Sequence, residues 1–348
     1  MTSFRIAVVG CGSIGLRHLL NLTRLAGCGR EKDGEKAKAD LPECIRKHPL
    51  MPVSLKIAAL DPSPAAPADV AAVCQDISFL SDWDELKKWR PEIVIVATPN
   101  HMHKKNTLDA LAVGAHVLCE KPIACSSSDA LEMAEAAKKA NRVLAVGQTE
   151  RFREATATMV KMARDGALGN LIGGRAMVGT YNTLLCAKDK KHRMENFGTI
   201  VIDYIHELDL LHAVFGPASA AHGFYNNLSR KELQASPTLM AAVIQYKNRE
   251  IASIHFDYVQ HPQRRMFEIF GDRKSLCYDF QSDTLEIWDP GQDKPQILSW
   301  NNDRNDQFVR EHLDMMSAVM HGSKPQVDAE TAAEVLKTAE LVLGALRQ

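Results

Sequence analysis

Short apolar runs alternate with amphipathic stretches along the first third of the chain. Phe4 to Val9, Leu55 to Leu60, Ile93 to Ala97, Ala115 to Cys119 and Val143 to Val146 are apolar at nearly every position. That is the pattern of strands covered on both faces. Between them the spacing predicts helices over Ile14 to Leu25 and over roughly 82–90, 102–113 and 127–140. Ser126 and Asp129 stand in capping-box spacing at the start of the last of these. Strands alternating with helices predict a parallel, doubly wound sheet.

One stretch breaks the rhythm. Residues 27–52 are rich in charge and poor in apolar side chains. They read as an insertion between the first helix and the second strand, a loop with a helical piece whose charges form a solvated face. After about residue 150 the texture changes again. A helix over about 153–165 precedes β-rich segments at 171–180, 219–227, 238–246, 250–259, 265–271, 275–280 and 284–288. Such close spacing predicts a mostly antiparallel sheet. One helix over about 199–215 interrupts it, and helices over about 305–320 and 328–346 close the chain. The expected fold is therefore α/β: a Rossmann domain over residues 1–150, carrying the insertion, and a substrate-binding and oligomerisation domain over 151–348 with a large open sheet.

Composition narrows the function. The 348 residues are 45% hydrophobic and 24% charged, with a formal net charge of −1. That length suits two domains. The balance excludes a nucleic-acid-binding stripe and a general affinity for anionic membranes. The chain shows neither a signal peptide nor a run of the ~20 apolar residues needed to span a bilayer. The eight cysteines are scattered without a Cys-x-x-Cys pair. They read as buried reduced thiols of a cytoplasmic protein, and no metal site is expected.

Gly10-Cys11-Gly12-Ser13-Ile14-Gly15 fits Gly-x-Gly-x-x-Gly, after a strand and at the opening of a helix. Gly10 makes the tight turn. Gly12 lets a pyrophosphate approach the backbone, and Gly15 lets helix and strand pack closely. The second strand ends at Asp61, placed to accept hydrogen bonds from the adenosine ribose and to repel a 2′-phosphate. Asp61 follows Gly15 by 46 positions instead of the usual ~20, and the insertion accounts for the excess. NAD is the expected cofactor, with NADP the alternative.

Two further motifs follow strands: Thr98-Pro99-Asn100-His101-Met102-His103 and Glu120-Lys121-Pro122. With the glycine motif before them, the chain resembles the Gfo/Idh/MocA family of oxidoreductases from Phe4 to its last helix. The resemblance implies a Rossmann domain followed by an α/β domain with a large open sheet, and an active site between them. It implies that Thr98, Pro99, Asn100 and His103 line the cofactor beside Glu120, and that Lys121 reaches both nicotinamide ribose and substrate.

The segment Thr199 to Asp209 supplies a second catalytic signal. At helical spacing Asp203, His206 and Asp209 share one stripe among Ile202, Ile205, Leu208 and Leu211. Oxidising a hydroxyl requires a proton acceptor, and histidine titrates near neutral pH. A nearby lysine stabilises the developing alkoxide. His206 is thus the expected general base and Lys121 its electrostatic partner, with Asp203 or Asp209 orienting the imidazole. Many family members carry aspartate four residues before the histidine, where this chain has Ile202. Asp-x-x-His-Glu-x-Asp, the opening Gly-Ser-Ile-Gly-x-Arg-His and the run Tyr258 to Arg265 resemble a subset associated with nucleotide-sugar and sialic-acid-like pathways.

Arg151 and Tyr181 are expected to border the substrate. The basic run Lys188, Lys190, Lys191, His192, Arg193 reads either as a solvated loop or as an anion contact. The expected activity is hydride transfer between nicotinamide and a hydroxyl or ketone carbon of a sugar, nucleotide sugar or cyclitol. A non-catalytic NAD-sensing regulator is the alternative. A homodimer or homotetramer is expected, because an open sheet face needs a cover.

Overall fold

In the computed structural model the described residues are 2–27, 41–63, 66–74, 77–181, 198–227, 237–301 and 303–347. The apolar runs form the expected parallel sheet from β1 (Thr2–Val9), β2 (Val53–Leu60), β3 (Ser78–Leu80), β4 (Ile93–Val96), β5 (His116–Glu120) and β6 (Leu144–Gly147). Their order is β3-β2-β1-β4-β5-β6, with every pair parallel. The order reverses at β1, so the carboxyl ends of β1 and β4 flank the crevice where such folds bind ligands. Helices α1 (Ser13–Gly27), α2 (Glu43–Arg46), α3 (Ala66–Val73), α4 (Trp83–Trp89), α5 (His103–Ala112) and α6 (Ser127–Lys139) connect the strands. Ser126 caps α6 by accepting from the Asp129 amide at 3.1 Å.

The insertion is not wholly a solvated face. Leu41, Ile45 and Leu50 are buried in the same apolar cluster as Leu19, Leu22 and Leu25 of α1. The short α2 is the helical piece expected there, and the apolar residues on and around it seat it against α1 while Glu43, Arg46 and Lys47 stay exposed. Residues 28–40 lie outside the described residues. The strand β3 and the helix α3 are also additions, too short to stand out by periodicity.

The chain divides into two compact units, Met1–Phe152 with Asn302–Ala333, and Arg153–Asn301 with Glu334–Gln348. The helix α10 (Arg304–His321) therefore belongs with the first unit, where Val309, Leu313 and Met316 join the α1 cluster. The chain then runs beside β6, where Val146 donates to the Val327 carbonyl at 3.0 Å. From there α11 (Ala329–Leu346) crosses into the second unit.

The second unit is built on an eight-stranded sheet: β7 (Leu171–Gly179), β8 (Ala218–Asn226), β9 (Leu239–Tyr246), β10 (Ile251–Asp257), β11 (Arg264–Gly271), β12 (Ser275–Asp279), β13 (Thr284–Trp288) and β14 (Gln296–Ser299). The order is β14-β13-β12-β11-β7-β10-β9-β8. Only the β7–β10 pair is parallel; the rest are antiparallel. Burial alternates strictly along β9, so one face is covered and the other is open. The helix α7 (Glu154–Arg164) belongs to this unit. The helix expected over 199–215 is two: α8 (Thr199–Asp203) and α9 (Ile205–Phe215), broken at Tyr204 with φ −102° and ψ 29°. The Tyr204 ring sits 5.3 Å from Phe256 and 5.6 Å from Tyr258, and this packing draws it off the helical path. Among the described residues no helix is long and apolar enough to cross a membrane. The six described cysteines are free thiols, but Cys44 and Cys125 are exposed, so the expectation of uniformly buried thiols does not hold.

Candidate functional site

Each glycine of the first turn answers a specific demand. Gly10 adopts φ +93°, and a Cβ there would stand 2.7 Å from the Ala97 carbonyl oxygen. A Cβ on Gly15 would stand 1.8 Å from the Gly10 oxygen, so α1 can approach the β1 turn only without it. Around Gly12 a Cβ would meet nothing within 4 Å. That glycine leaves an open flank instead of filling a tight contact. The first backbone bond of α1 runs from the Leu16 amide to the Gly12 oxygen at 2.9 Å. The amides of Ser13, Ile14 and Gly15 consequently lack intrahelical acceptors, as an anion-binding helix start requires.

Asp61 is fixed beside this turn by backbone donors. Its carboxylate accepts from the Cys11 amide at 2.6 Å and from the Ser63 amide at 2.8 Å. Burial first, and then Asp61 and Asp69, push the Cys11 thiol up to about 12, so it stays a neutral thiol lining the turn.

The two later motifs are tied together by one histidine. His103 opens α5 and is buried. Its Nδ1 lies 2.7 Å from the Pro122 carbonyl and its Nε2 lies 2.7 Å from the Thr98 carbonyl. Carbonyls only accept, so both ring nitrogens must donate and the ring is an imidazolium. Burial alone lowers its pKa, but Cys119 and the two carbonyls outweigh that and hold it at about 9. The loop after β4 and the loop after β5 are thereby clamped to one another. Asn106, which sequence reasoning missed, supports the clamp by donating to the Thr98 hydroxyl at 3.0 Å. Asn100 and Lys121 are half-buried at these strand ends, while Pro99 and His101 are exposed. The Lys121 amide donates to the Glu120 carboxylate at 3.1 Å.

Behind Glu120 lies a buried cluster that no sequence motif brings together. His18 Nε2 is 2.9 Å from Glu120 Oε1, and His18 Nδ1 is 2.8 Å from His312 Nε2. Glu311 stands close by on α10, fully buried. Burial, then Glu120 and Asp314, push the Glu311 carboxyl well above its ordinary range. Burial and the neighbouring His18 push His312 well below its own. The signal available in the sequence was the His-Leu-Leu start of α1 facing a Glu-His pair almost three hundred residues later, which no local pattern links.

In the second unit, α8 and α9 carry Asp203, His206 and Asp209 on consecutive turns, with Asp203 and His206 half-buried and Asp209 buried. Asp203 accepts from the Tyr258 hydroxyl at 2.8 Å. Glu207, buried on α9, takes Arg265 Nε at 2.6 Å, and that guanidinium lies 4.0 Å over the Phe280 ring. Tyr181 meets His261 edge-on with centroids 6.3 Å apart. Tyr258 and Arg265 both come from the run Tyr258 to Arg265, so the motif that marked a subset in the sequence furnishes partners of this helix pair, while its His261 meets Tyr181. Arg151 lies buried in the 3-10 turn Thr149–Phe152 of the first unit, where Gln326 donates to its carbonyl at 3.2 Å. The basic run 188–193 falls outside the described residues.

Two family models match. Residues 4–148 match the oxidoreductase family NAD-binding Rossmann fold of GFO/IDH/MocA, and residues 177–348 match that family's C-terminal alpha/beta domain. Among characterised relatives, the 1,5-anhydro-D-fructose reductase of Ensifer adhaerens is 30% identical over 188 residues, 53% of this chain and 56% of that protein. The matched stretch thus spans little more than half the relative's length. Among solved structures, the UDP-N-acetylglucosamine 3-dehydrogenase of Acidithiobacillus ferrooxidans aligns with a TM-score of 0.77 at 18% identity, covering 99% of this chain and 98% of that one. The scyllo-inositol dehydrogenase of Lactobacillus casei, with bound NAD(H) and scyllo-inositol, aligns at 0.77 and 17% identity, covering 99% and 97%. At these identities the two structures establish the fold.

Proposed function

Because the chain belongs to the Gfo/Idh/MocA oxidoreductase family, we propose that it transfers a hydride between NAD and a hydroxyl or ketone carbon of a sugar, nucleotide sugar or cyclitol. One observation carries the reading: the open flank at Gly12 beside the backbone-anchored Asp61 carboxylate. That cradle fits a dinucleotide. Gly10, Gly12, Ser13, Ile14 and Gly15 would receive the pyrophosphate, and Asp61 the adenosine ribose. Thr98, Pro99, Asn100, His103, Glu120 and Lys121 would line the nicotinamide end. NAD, when bound, supplies the hydride acceptor or donor.

The chain's own groups handle the proton. His206 takes it from the substrate hydroxyl during oxidation and returns it during reduction. The Lys121 ammonium stabilises the oxygen as negative charge develops. Asp203, held by Tyr258, and Asp209 set the helix stripe from which His206 works. Arg151 and Tyr181 complete the proposed substrate contacts. The substrate class is supported by the relatives, which act on an anhydro sugar, a UDP-sugar and an inositol by name.

The enzyme works in the cytoplasm as a homo-oligomer in this reading. Free thiols suit a reducing compartment. Ile172, Phe224, Val243 and Ile251 are exposed on neighbouring strands of the open sheet and suit cover by another copy. The test is titration of NAD and NADP against purified protein, followed by assays of the NAD-loaded protein with anhydro sugars, UDP-sugars and inositols. Saturable NAD binding and NADH formation abolished in Lys121→Met are expected. Binding of neither nucleotide by cofactor-free protein would overturn the reading.

A further inference from the structure

We propose that His18, Glu120 and Glu311 form a binding site for a divalent transition-metal cation inside the first unit. One ligand atom from each of the three lies within 4.8 Å of the others, and all three residues are buried. The decisive residue is Glu311. It is 2% exposed, and neither of its carboxylate oxygens has a hydrogen-bond partner among the described residues. Leaving such a group unpaired is costly, and a cation shared with Glu120 removes the cost.

The spacing suits one ion. Two ligands each about 2.1 Å from a metal and at right angles stand about 3.0 Å apart. His18 Nε2 and Glu120 Oε1 are 2.9 Å apart, the spacing of two ligands on one ion, which would take the place of the proton shared between them. One imidazole nitrogen with two carboxylates is a donor set for Mn2+ or Zn2+. The charges balance, because two carboxylates meet one dication.

The surroundings are those of a ligating histidine. Such a ring donates its second N–H to a neighbour that fixes its orientation. His18 Nδ1 has that neighbour in His312 Nε2 at 2.8 Å. On another side the His18 ring meets the Phe308 ring edge-on, with centroids 5.5 Å apart, which keeps water away. Gly147 leaves room at Glu120, since a Cβ there would stand 3.0 Å from Oε1. The ion would join α1, the end of β5 and α10, and so fix Glu120 immediately before Lys121. Cysteine spacing could not reveal this site, because none of its ligands is a thiolate.

Mn2+ is the probe of choice, because the exposed thiols of Cys44 and Cys125 are poor ligands for it. Full-length protein is stripped with chelator, dialysed, and titrated with Mn2+ while free ion is followed by electron paramagnetic resonance. One saturable equivalent per chain is expected, with at least tenfold weaker binding in Glu311→Gln. His312→Asn removes only the orienting neighbour and should weaken binding about 10–100-fold. It serves as the deciding variant if Glu311→Gln fails to fold, judged by circular dichroism. No saturable binding by wild-type protein, or an affinity unchanged in the folded variant, overturns the proposal.

Discussion

The strand-end loops of the first unit and the helix pair of the second hold their polar side chains by different means. In the loops the holders are chiefly backbone atoms: two amides for Asp61, two carbonyls for His103 and one amide for Glu120, which also meets the His18 side chain. In the helix pair they are chiefly side chains from distant strands, Tyr258 for Asp203 and Arg265 for Glu207. Backbone holders survive substitution of the residue that bears them. Side-chain holders do not. On the proposed function, the first arrangement holds the cofactor end of the site and the second the substrate end.

The sharpest separation of the two regions comes from replacing His206 with Asn. Turnover should fall about 10²–10⁴-fold while the NAD dissociation constant stays within twofold, because the proposed base lies on the helix pair and outside the proposed cofactor cradle. Steady-state rates beside NAD titration check this. An equal loss of NAD affinity would break the separation.

Glu207→Gln strikes a side-chain holder. It leaves Arg265 without its buried carboxylate and should cost about 3 kcal/mol in urea unfolding of the second unit. Cys11→Ala, at a backbone holder, should change stability by less than about 1 kcal/mol and keep NAD binding, since the amide that grips Asp61 remains.

His103 tests the loops through pH. Its folded pKa of about 9 lies above the unfolded value, so its contribution to stability is complete below about pH 6.5 and is lost as pH rises through about 9. The wild-type unfolding free energy should fall across that window by at most about 1.4 kcal/mol per pH unit. His103→Gln should flatten the slope. A wild-type slope already flat between pH 7 and 9 would mean that the ring is not cationic.

Asp61→Asn tests nucleotide selection at the loops. The amide oxygen still accepts from one backbone donor, but the charge proposed to repel a 2′-phosphate is gone. The preference for NAD over NADP should narrow about tenfold, near 1.4 kcal/mol, in paired titrations. A preference that does not move would place nucleotide selection elsewhere.

The first-unit loops were readable in the sequence because they begin where apolar strand runs end. Gly10, Gly15 and Asp61 each follow from a strand that ends where its apolar run ends, and the insertion displaces only the count. What stayed hidden depends on contacts that no local pattern encodes. The break at Tyr204 comes from packing on Phe256 and Tyr258, some fifty residues away. The seating of Leu41, Ile45 and Leu50 was masked by charged neighbours. The pairing of His18 with His312 joins positions 294 apart. The likeness of 258–265 to a subset motif was legible, but only the fold shows that it supplies Tyr258 and Arg265 to the helix pair.

The return of residues 302–333 to the first unit has a consequence for synthesis. At about 5–20 residues per second, roughly ten to forty seconds pass on the ribosome between the appearance of Phe152 and that of Ala333. Throughout that interval the nascent Rossmann sheet has all its strands, yet the face of Leu19, Leu22 and Leu25 still lacks Val309, Leu313 and Met316. The first half of the protein to be made is thus among the last to be finished, and it waits with an oily seam open to whatever chaperone stands at the tunnel exit.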